Sequence, residues 1–504
     1  MGCLKMKKAR VVIDKDFAIA AIDEKVFSSF VEPLGRCVYG GLYEPEHESA
    51  DEDGFRQDVM EYIEPLNLTL NRFPGGNFTS TYRWEDGIGP KEQRPRRVEV
   101  AWQCIETNEF GLDEFAKWSR KNGSDVMMTV NLATRGVLEA MDCVEYCNFE
   151  GGTYWSEMRK RNGFEKPLNY KYWCLSNEID GIWQVGQKPG REYGLLAKEA
   201  AKGMKLIDSE IKTVLAGSSS PGQDTFPAFD AEALEASYDF VDYLSVHHYI
   251  GNMENDSANY LAKPMVTDRY LDNVAAAIAF IKAKKRSDHD VYISFDEFNT
   301  WHSIAREERF EERWRIAPPL LEDVYTAEDT LALGGMLLSV LRHADSVKIA
   351  CVSELVNCIS HIRTRNQGGC WVLPPYYAFL HYTQYGRGTA LLTKVESDVY
   401  DSKDFKDVPY LDAQAVLDQK GHITLFAINR SLDEPLEMNL ELRGFEGYHV
   451  EKHIVLTADD PKATNTEEDP DAVKPAENGN ARCENGCVQA VLDSLSWNVI
   501  CLSK

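Results

Sequence analysis

The sequence predicts an α/β protein, a (β/α)8 TIM barrel with an additional C-terminal antiparallel β-sandwich domain. Three observations carry that prediction. Between about residues 28 and 388, short β-like runs alternate with segments of helical apolar spacing. Beyond residue 388 the pattern changes to an alternation of apolar and polar residues. No G-x-G-x-x-G follows the first run, and eight strand–helix units suit a closed barrel better than an open doubly wound sheet.

The eight runs are, in order, SSFVEPL (28–34), LNLTLNRF (66–73), DVMMTVNL (125–132) and KYWCLSNE (171–178), then KTVLAGSS (212–219), DYLSVHHY (242–249), VYISFDEF (291–298) and SVKIACVSEL (346–355). GFRQDVMEYIEPL follows the first run with helical spacing, and LDEFAKWSRKNG ends in a glycine stop. REYGLLAKEAAKGMKLID and DNVAAAIAFIKAKKRSD are the plainest helices. TAEDTLALGGMLLSVLRHAD opens with Thr326 three residues before Asp329, a capping-box pattern with Asp in the Glu/Gln place. Further on, TALLTKVESDVY, DAQAVLDQKGHITLFAINRS, LEMNLELRGFEGYHVEKHIVLT and CVQAVLDSLSWNVICLS read as sandwich strands, with Lys420-Gly421 as a turn. The acidic stretch 458–482 reads as a long surface loop among them. Three segments follow: residues 1–25, whose ARVVIDKDFAI reads as a strand joining the sandwich; residues 26–388, the barrel; and residues 389–504, the sandwich.

A chain of 504 residues is too long for one compact domain. Its 55 basic and 81 acidic residues leave a net charge of -26, which repels phosphate backbones and anionic bilayers, so neither nucleic acid nor a membrane is expected as a partner. No run approaches the ~18 apolar residues of a membrane span. MGCLKMKKARVVIDKDF is basic, but charges interrupt the segment after it, unlike a signal peptide, and MGCLKM lacks the Ser/Thr of a myristoylation site. The 12 cysteines are scattered, with close pairs at Cys143/Cys147 and Cys483/Cys487 and no histidine cluster beside either. Free thiols in a cytoplasmic protein are expected, and no metal.

In a (β/α)8 barrel the chemistry sits at the C-terminal ends of the strands. Those positions hold Glu32, Arg72 with PGGN (74–77), Asn131, Asn177-Glu178, Ser218–Ser220, His247-His248-Tyr249, Glu297 with Asn299 and Trp301, and Glu354 with Asn357. All are expected to point into one bowl, with Trp84, Trp102 and Trp301 at its rim. Strands four and seven each end an apolar run in a glutamate beside polar and aromatic residues. Two carboxylates among amides and indole faces are what glycoside hydrolysis needs: one protonates the leaving oxygen, and the other attacks the anomeric carbon or activates water. No cofactor is required. A single glutamate at a strand end is more often a surface residue, and His247 alone is more often structural. Asp180 and Asp296 are expected to be surface or salt-bridged groups, since Asp296 should face opposite to Glu297 on its strand. The His-His pair has no third ligand of convincing spacing.

The same motifs resemble the α-L-arabinofuranosidases of glycoside hydrolase family 51. FVEPLGRCVYGGLYEPEHESADEDGFRQDV (30–59), RFPGGNFTSTYRWEDGIGPKEQRP (72–95), AWQCIETNEFG (101–111) and VEYCNFEGGTYWSEMR (144–159) carry the resemblance. KYWCLSNEIDGIWQVG (171–186), SFDEFNTWH (294–302), DVPYLDAQAVLD and LSWNVICL continue it, so it spans essentially the whole chain. It implies Glu178 as general acid/base and Glu297 as nucleophile, with Glu32, Asn77 and Asn177 binding the furanose. It further implies that His247 and Tyr249 hydrogen-bond the catalytic carboxylates, and that Trp102 and Trp301 form walls. A barrel plus sandwich, no cofactor, arabinofuranose-containing oligosaccharides as substrate and a cytoplasmic homo-oligomer, commonly a hexamer, are the family's pattern.

The chain departs from that pattern at Glu354, where the family usually has Gln, and at Pro33, where it commonly has His. An ionised glutamate only accepts hydrogen bonds, and a third carboxylate is expected to raise a neighbour's pKa. The expected function is a retaining, exo-acting hydrolase that releases terminal non-reducing α-L-arabinofuranose from arabinoxylan- or arabinan-derived oligosaccharides. An endo-β-glucanase or xylosidase-like specificity on the same scaffold would need an open groove. A non-catalytic carbohydrate-binding protein would not need both glutamates.

Overall fold

The computed structural model describes residues 6–302 and 312–504. The myristoylation reading of the first six residues falls almost wholly outside them. Barrel strands one to eight are Ser28–Phe30, Leu70–Phe73, Asp125–Val130, Tyr172–Leu175, Lys212–Ala216, Tyr243–Ile250, Tyr292–Thr300 and Val347–Val352. All pair in parallel with their sequence neighbours, and strand eight closes on strand one through Cys351↔Ser28 and Val352↔Ser29. A helix follows each strand: Gln57–Ile63, Leu112–Asn122, Val137–Asn148, Gly190–Ile207, Ala228–Ser237, Pro264–Lys285, Ala327–Arg342 and Pro375–Tyr385. The interior is a plug of Phe30, Leu70, Met127, Tyr172, Cys174, Val214, Tyr243, Ile349 and Cys351, so the barrel is packed below its polar mouth.

Local sequence chemistry fixes the helix ends. Gly123 takes φ +72 after Leu112–Asn122, the left-handed C-cap that glycine adopts without penalty. Thr326 caps Ala327–Arg342, with the Asp329 carboxylate accepting from the Thr326 backbone N–H (2.8 Å) and hydroxyl (3.0 Å). Six of the eight strands are shorter than the apolar runs that announce them, and in five of these the last residues of the run leave the ladder; strand six matches its run in length and strand seven exceeds it.

The sandwich pairs a five-stranded sheet with a six-stranded one. In the first, strand Lys7–Asp14 lies between Lys394–Ser397 and Leu436–Arg443, antiparallel to one and parallel to the other, so the sheet is not wholly antiparallel. In the second, Ala18–Ala21 pairs with Thr389–Leu391 at one edge and Ser496–Ser503 lies between Ile423–Asn429 and His449–Thr457. The inner faces bury Val11, Ile13, Leu425, Leu440, Leu492 and Ile500. The outer face of the six-stranded sheet packs on the barrel. Trp497 is fully buried there, and a Cβ at Gly334 would fall 2.8 Å from its ring. The stretch 458–482 is not a free loop: its Pro461 and Ala463 carbonyls accept from the Glu328 and Ala327 N–H groups that open a barrel helix. The cysteines among the described residues are free thiols.

Candidate active site

A cavity of about 570 Å³ opens at the C-terminal mouth of the barrel, lined by Glu32, Asn77, Trp102, Glu178, Tyr249, Glu297, Trp301 and Glu354, among others. Strand four reaches it by a kink. Ser176 and Glu178 take φ +85 and +43, sparsely populated conformations for residues with a side chain, and the chain turns so that Asn177 and Glu178 both enter the mouth. Their side-by-side placement at the end of a buried strand is therefore a turn that delivers two groups to one site.

Glu178 accepts hydrogen bonds on both oxygens, from His247 Nδ1 at Oε1 (2.9 Å) and from Trp183 Nε1 at Oε2 (2.8 Å). Burial raises its pKa, the His247 hydrogen bond opposes that, and the Glu297 charge adds to the rise. Glu297 accepts from Arg72 Nη1 at Oε1 (2.6 Å) and from the Tyr249 hydroxyl at Oε2 (3.1 Å), with His247 Nδ1 at 3.5 Å. Ligand-capable atoms of Glu178, His247 and Glu297 lie within 4.8 Å of one another. Hydrogen bonding to one imidazole accounts for that proximity.

Beneath the pair runs a charged layer. Arg72, on strand two, also donates to Asn177 Oδ1 (2.6 Å), stands 3.5 Å from Asp296 and lies over the Phe30 ring. His247 Nε2 faces Ser245 Oγ (3.1 Å) and Asp296 Oδ1 (3.4 Å). Burial alone would lower the His247 pKa, but Glu297, Asp296 and Glu178 together raise it to about 10. Asp296 is buried too, yet Arg72 and His247 hold its carboxyl below the usual range. Arg72 and His247 thus face Asp296 and Glu297 beneath Glu178, whose own pKa is raised chiefly by burial.

Asp296 is salt-bridged, to Arg72, but the structure corrects the expectation that it faces away from Glu297. Its side chain is 0% exposed and shares Arg72 with Glu297, because strand seven carries an extra residue between the pairs Ser245↔Ser294 and His247↔Glu297. The bulge breaks the alternation and turns two consecutive residues into the interior. Asp180 is likewise buried, accepting from the Ser219 N–H (3.0 Å) and hydroxyl (3.1 Å).

Glu32 anchors the opposite wall, its Oε1 accepting from Phe78 N–H (2.7 Å) and Trp102 Nε1 (2.8 Å). Burial, reinforced by Glu297, raises its pKa to about 8. A Cβ at Gly76 would lie 2.1 Å from Glu32 Oε2, which explains the glycine in PGGN. Asn77 Oδ1 accepts from Asn177 Nδ2 (3.2 Å) and from Gln184. Glu354 Oε2 accepts from the Glu32 N–H (3.1 Å), and burial, with Glu32 and Glu297 nearby, raises its pKa far above the carboxylate range. The third carboxyl thus lies in a site that opposes its ionisation, and its Oε2 takes a hydrogen bond that an amide oxygen could also accept.

Not every strand end serves the bowl. Trp84 packs among Tyr146 and Trp155 rather than at the rim. Asn131 spends its Oδ1 on the Ala133 and Thr134 N–H groups, and His248 turns outward to Thr267. Ser218 binds Asp230, Asn299 binds the Ser353 and Ile359 carbonyls, and Asn357 binds Arg36 and Thr364. Trp183 and Gln184 reach the cavity without having been expected there. The signal was present in GIWQ, where a glycine precedes an aromatic residue five positions beyond Glu178.

A family model described as the Alpha-L-arabinofuranosidase 1 domain matches residues 62–263, and one described as the Alpha-L-arabinofuranosidase C-terminal domain matches 296–496. The chain is 48% identical to the intracellular exo-α-(1→5)-L-arabinofuranosidase of Halalkalibacterium halodurans, over 98% of this chain and 99% of that one. It is 46% identical to the intracellular exo-α-(1→5)-L-arabinofuranosidase 1 of Bacillus subtilis, over 99% and 100%. Among solved structures, a family 51 α-L-arabinofuranosidase of Bifidobacterium longum superposes with a TM-score of 0.94 at 37% identity, covering 99% of this chain and 100% of that one.

Proposed function

Since the chain belongs to the α-L-arabinofuranosidases of glycoside hydrolase family 51, we propose that it releases terminal non-reducing arabinofuranose from arabinan- or arabinoxylan-derived oligosaccharides with retention at the anomeric carbon. The family makes it an α-L-arabinofuranosidase, and we infer the stereochemistry, the roles of the two glutamates and the substrate range. One observation carries it: an oxygen of Glu178 and an oxygen of Glu297 lie within 4.8 Å of each other and both carboxyls reach the same His247 Nδ1, at 2.9 and 3.5 Å, a closeness that supports a double displacement over an inverting water held between them.

In this reading Glu178 gives its proton to the glycosidic oxygen while Glu297 attacks the anomeric carbon, and the sugar becomes an ester of Glu297. Arg72 and Tyr249 fix the attacking carboxylate. Esterification removes the Glu297 charge that helps raise the Glu178 pKa, so the deprotonated Glu178 is left poised to take a proton from water. Asn177, held by Arg72 and Asn77, Glu32 and Glu354 bind the furanose hydroxyls, and Trp102 and Trp301 form the walls. A walled cavity suits a chain end and favours exo action over the open groove of an endo-glucanase. The relatives' names support a cytoplasmic location, and homo-oligomerisation, a hexamer in particular, remains part of the proposal on family grounds.

The test is hydrolysis of 4-nitrophenyl α-L-arabinofuranoside beside the β-D-xyloside, β-D-glucoside and α-L-arabinopyranoside. Selective turnover of the first is expected. Glu297→Ala should abolish it, and Glu178→Ala should accumulate a glycosyl ester that azide releases as the azide of retained configuration. Inverted product, or azide rescue of the Glu297 variant instead, would reassign the two roles.

A further inference from the structure

Trp183 touches the acid/base carboxylate and also lines the cavity's outer rim. Its indole N–H donates to Glu178 Oε2 at 2.8 Å, while 49% of the residue remains exposed. The ring lies on Gly181, where an added Cβ would fall 2.4 Å from Cε2, so the backbone is bare to seat it. One face rests on the chain, and the exposed remainder lines the cavity with Val100, Val185 and Gln223. Ile182 and Val185 beside it are 86% and 49% exposed, giving the rim an apolar ledge.

We propose that Trp183 is a positioning residue that fixes Oε2 as the proton-donating oxygen of Glu178 and offers its open ring face to the leaving-group sugar, so that leaving-group binding and protonation pass through one side chain. This rests on the functional reading above and deepens it.

An indole N–H donates and never accepts, so it occupies a lone pair of Oε2 whether Glu178 is protonated or not. Oε1 is taken by His247 Nδ1. The acid proton on Oε2 therefore has the cavity side left to point into, toward a sugar resting on the indole. On transfer the Oε2–H bond breaks, the glycosidic oxygen gains the proton, and the C–O bond electrons stay with the leaving oxygen. The indole bond then strengthens, because its acceptor has become an anion. The other charged groups around Glu178 are His247 from strand six, Glu297 from strand seven and Asp180 from its own loop.

The experiment compares the wild type, Trp183→Phe and Trp183→Ala on 4-nitrophenyl α-L-arabinofuranoside and on α-(1→5)-linked arabinobiose. The nitrophenolate leaves with little protonation, whereas the sugar needs it. Trp183→Phe keeps a ring face and loses the N–H: kcat/KM on arabinobiose should fall about tenfold, with the aryl substrate within about twofold. Its alkaline limb should move to higher pH, since a donor to the ionised form is gone. Trp183→Ala should in addition raise KM for arabinobiose. Equal losses on both substrates, or an unmoved alkaline limb, would overturn the proposal; denaturation midpoints check that both variants are folded. Wild-type inactivity on both substrates would overturn the functional reading instead, and this inference with it.

Discussion

Arg72 Nη1 donates to Glu297 Oε1 across 2.6 Å, with the guanidinium side chain 0% and the carboxylate side chain 7% exposed. A buried cation that loses its place leaves its partners unpaired in a dry site. Arg72→Met strands both Asp296 and Glu297 and should cost about 3–5 kcal/mol of stability, read from urea denaturation. Arg72→Lys keeps the charge but loses the fork that joins Glu297 to Asn177. It should fold, with kcat/KM down roughly 100-fold; near-wild-type activity would show that the fork is dispensable.

His247 supplies a pH signature. Its folded pKa of about 10 exceeds the ~6.5 of an unfolded histidine. A raised folded pKa means that the folded state holds the proton more tightly. The associated stability is fully present below about pH 6.5 and is lost as pH rises through about 10. The stability difference between wild type and His247→Gln should therefore shrink from about pH 6 to about pH 10. A difference that stays level over that range would mean the imidazole is neutral in the fold.

Glu354 is predicted to be chemically close to glutamine. Because burial raises the Glu354 pKa and its Oε2 accepts from the Glu32 N–H as an amide oxygen could, Glu354→Gln should leave the pH–rate profile in place and change KM by less than about threefold. A shifted acid limb would show that the residue ionises in the working range.

Gly76 has no room for a methyl group, since the added carbon would sit 2.1 Å from Glu32 Oε2. Gly76→Ala should cost about 1–3 kcal/mol and raise KM, because Glu32 has to leave Trp102 or the Phe78 N–H to make space. Unchanged KM with lowered stability would separate packing from sugar binding.

The repeating units and the glutamates at the ends of strands four and seven are visible in the sequence because each strand buries its run and then releases it into polar groups. What lay beyond reading is geometry that breaks a period. The bulge on strand seven turns Asp296 inward against the alternation, and no residue type there announces it. Trp84 and Trp183 could not be told apart as core or rim from composition, since both follow loop glycines or charges and differ only in what packs on them. The upward pKa shift of Glu354 comes from burial and from Glu32 and Glu297, which are distant in the chain.

The strand Lys7–Asp14 pairs on one side with Lys394–Ser397 and on the other with Leu436–Arg443. During synthesis this strand must wait with both edges unpaired until residues 394–397 have emerged, and with one edge unpaired until 436–443 follow, while the barrel between can already assemble. Segments far apart in the sequence are thereby latched to each other across the finished barrel. A message cut short before residue 436 yields a barrel with an orphaned sticky edge, which marks it for aggregation or proteolysis rather than for partial service.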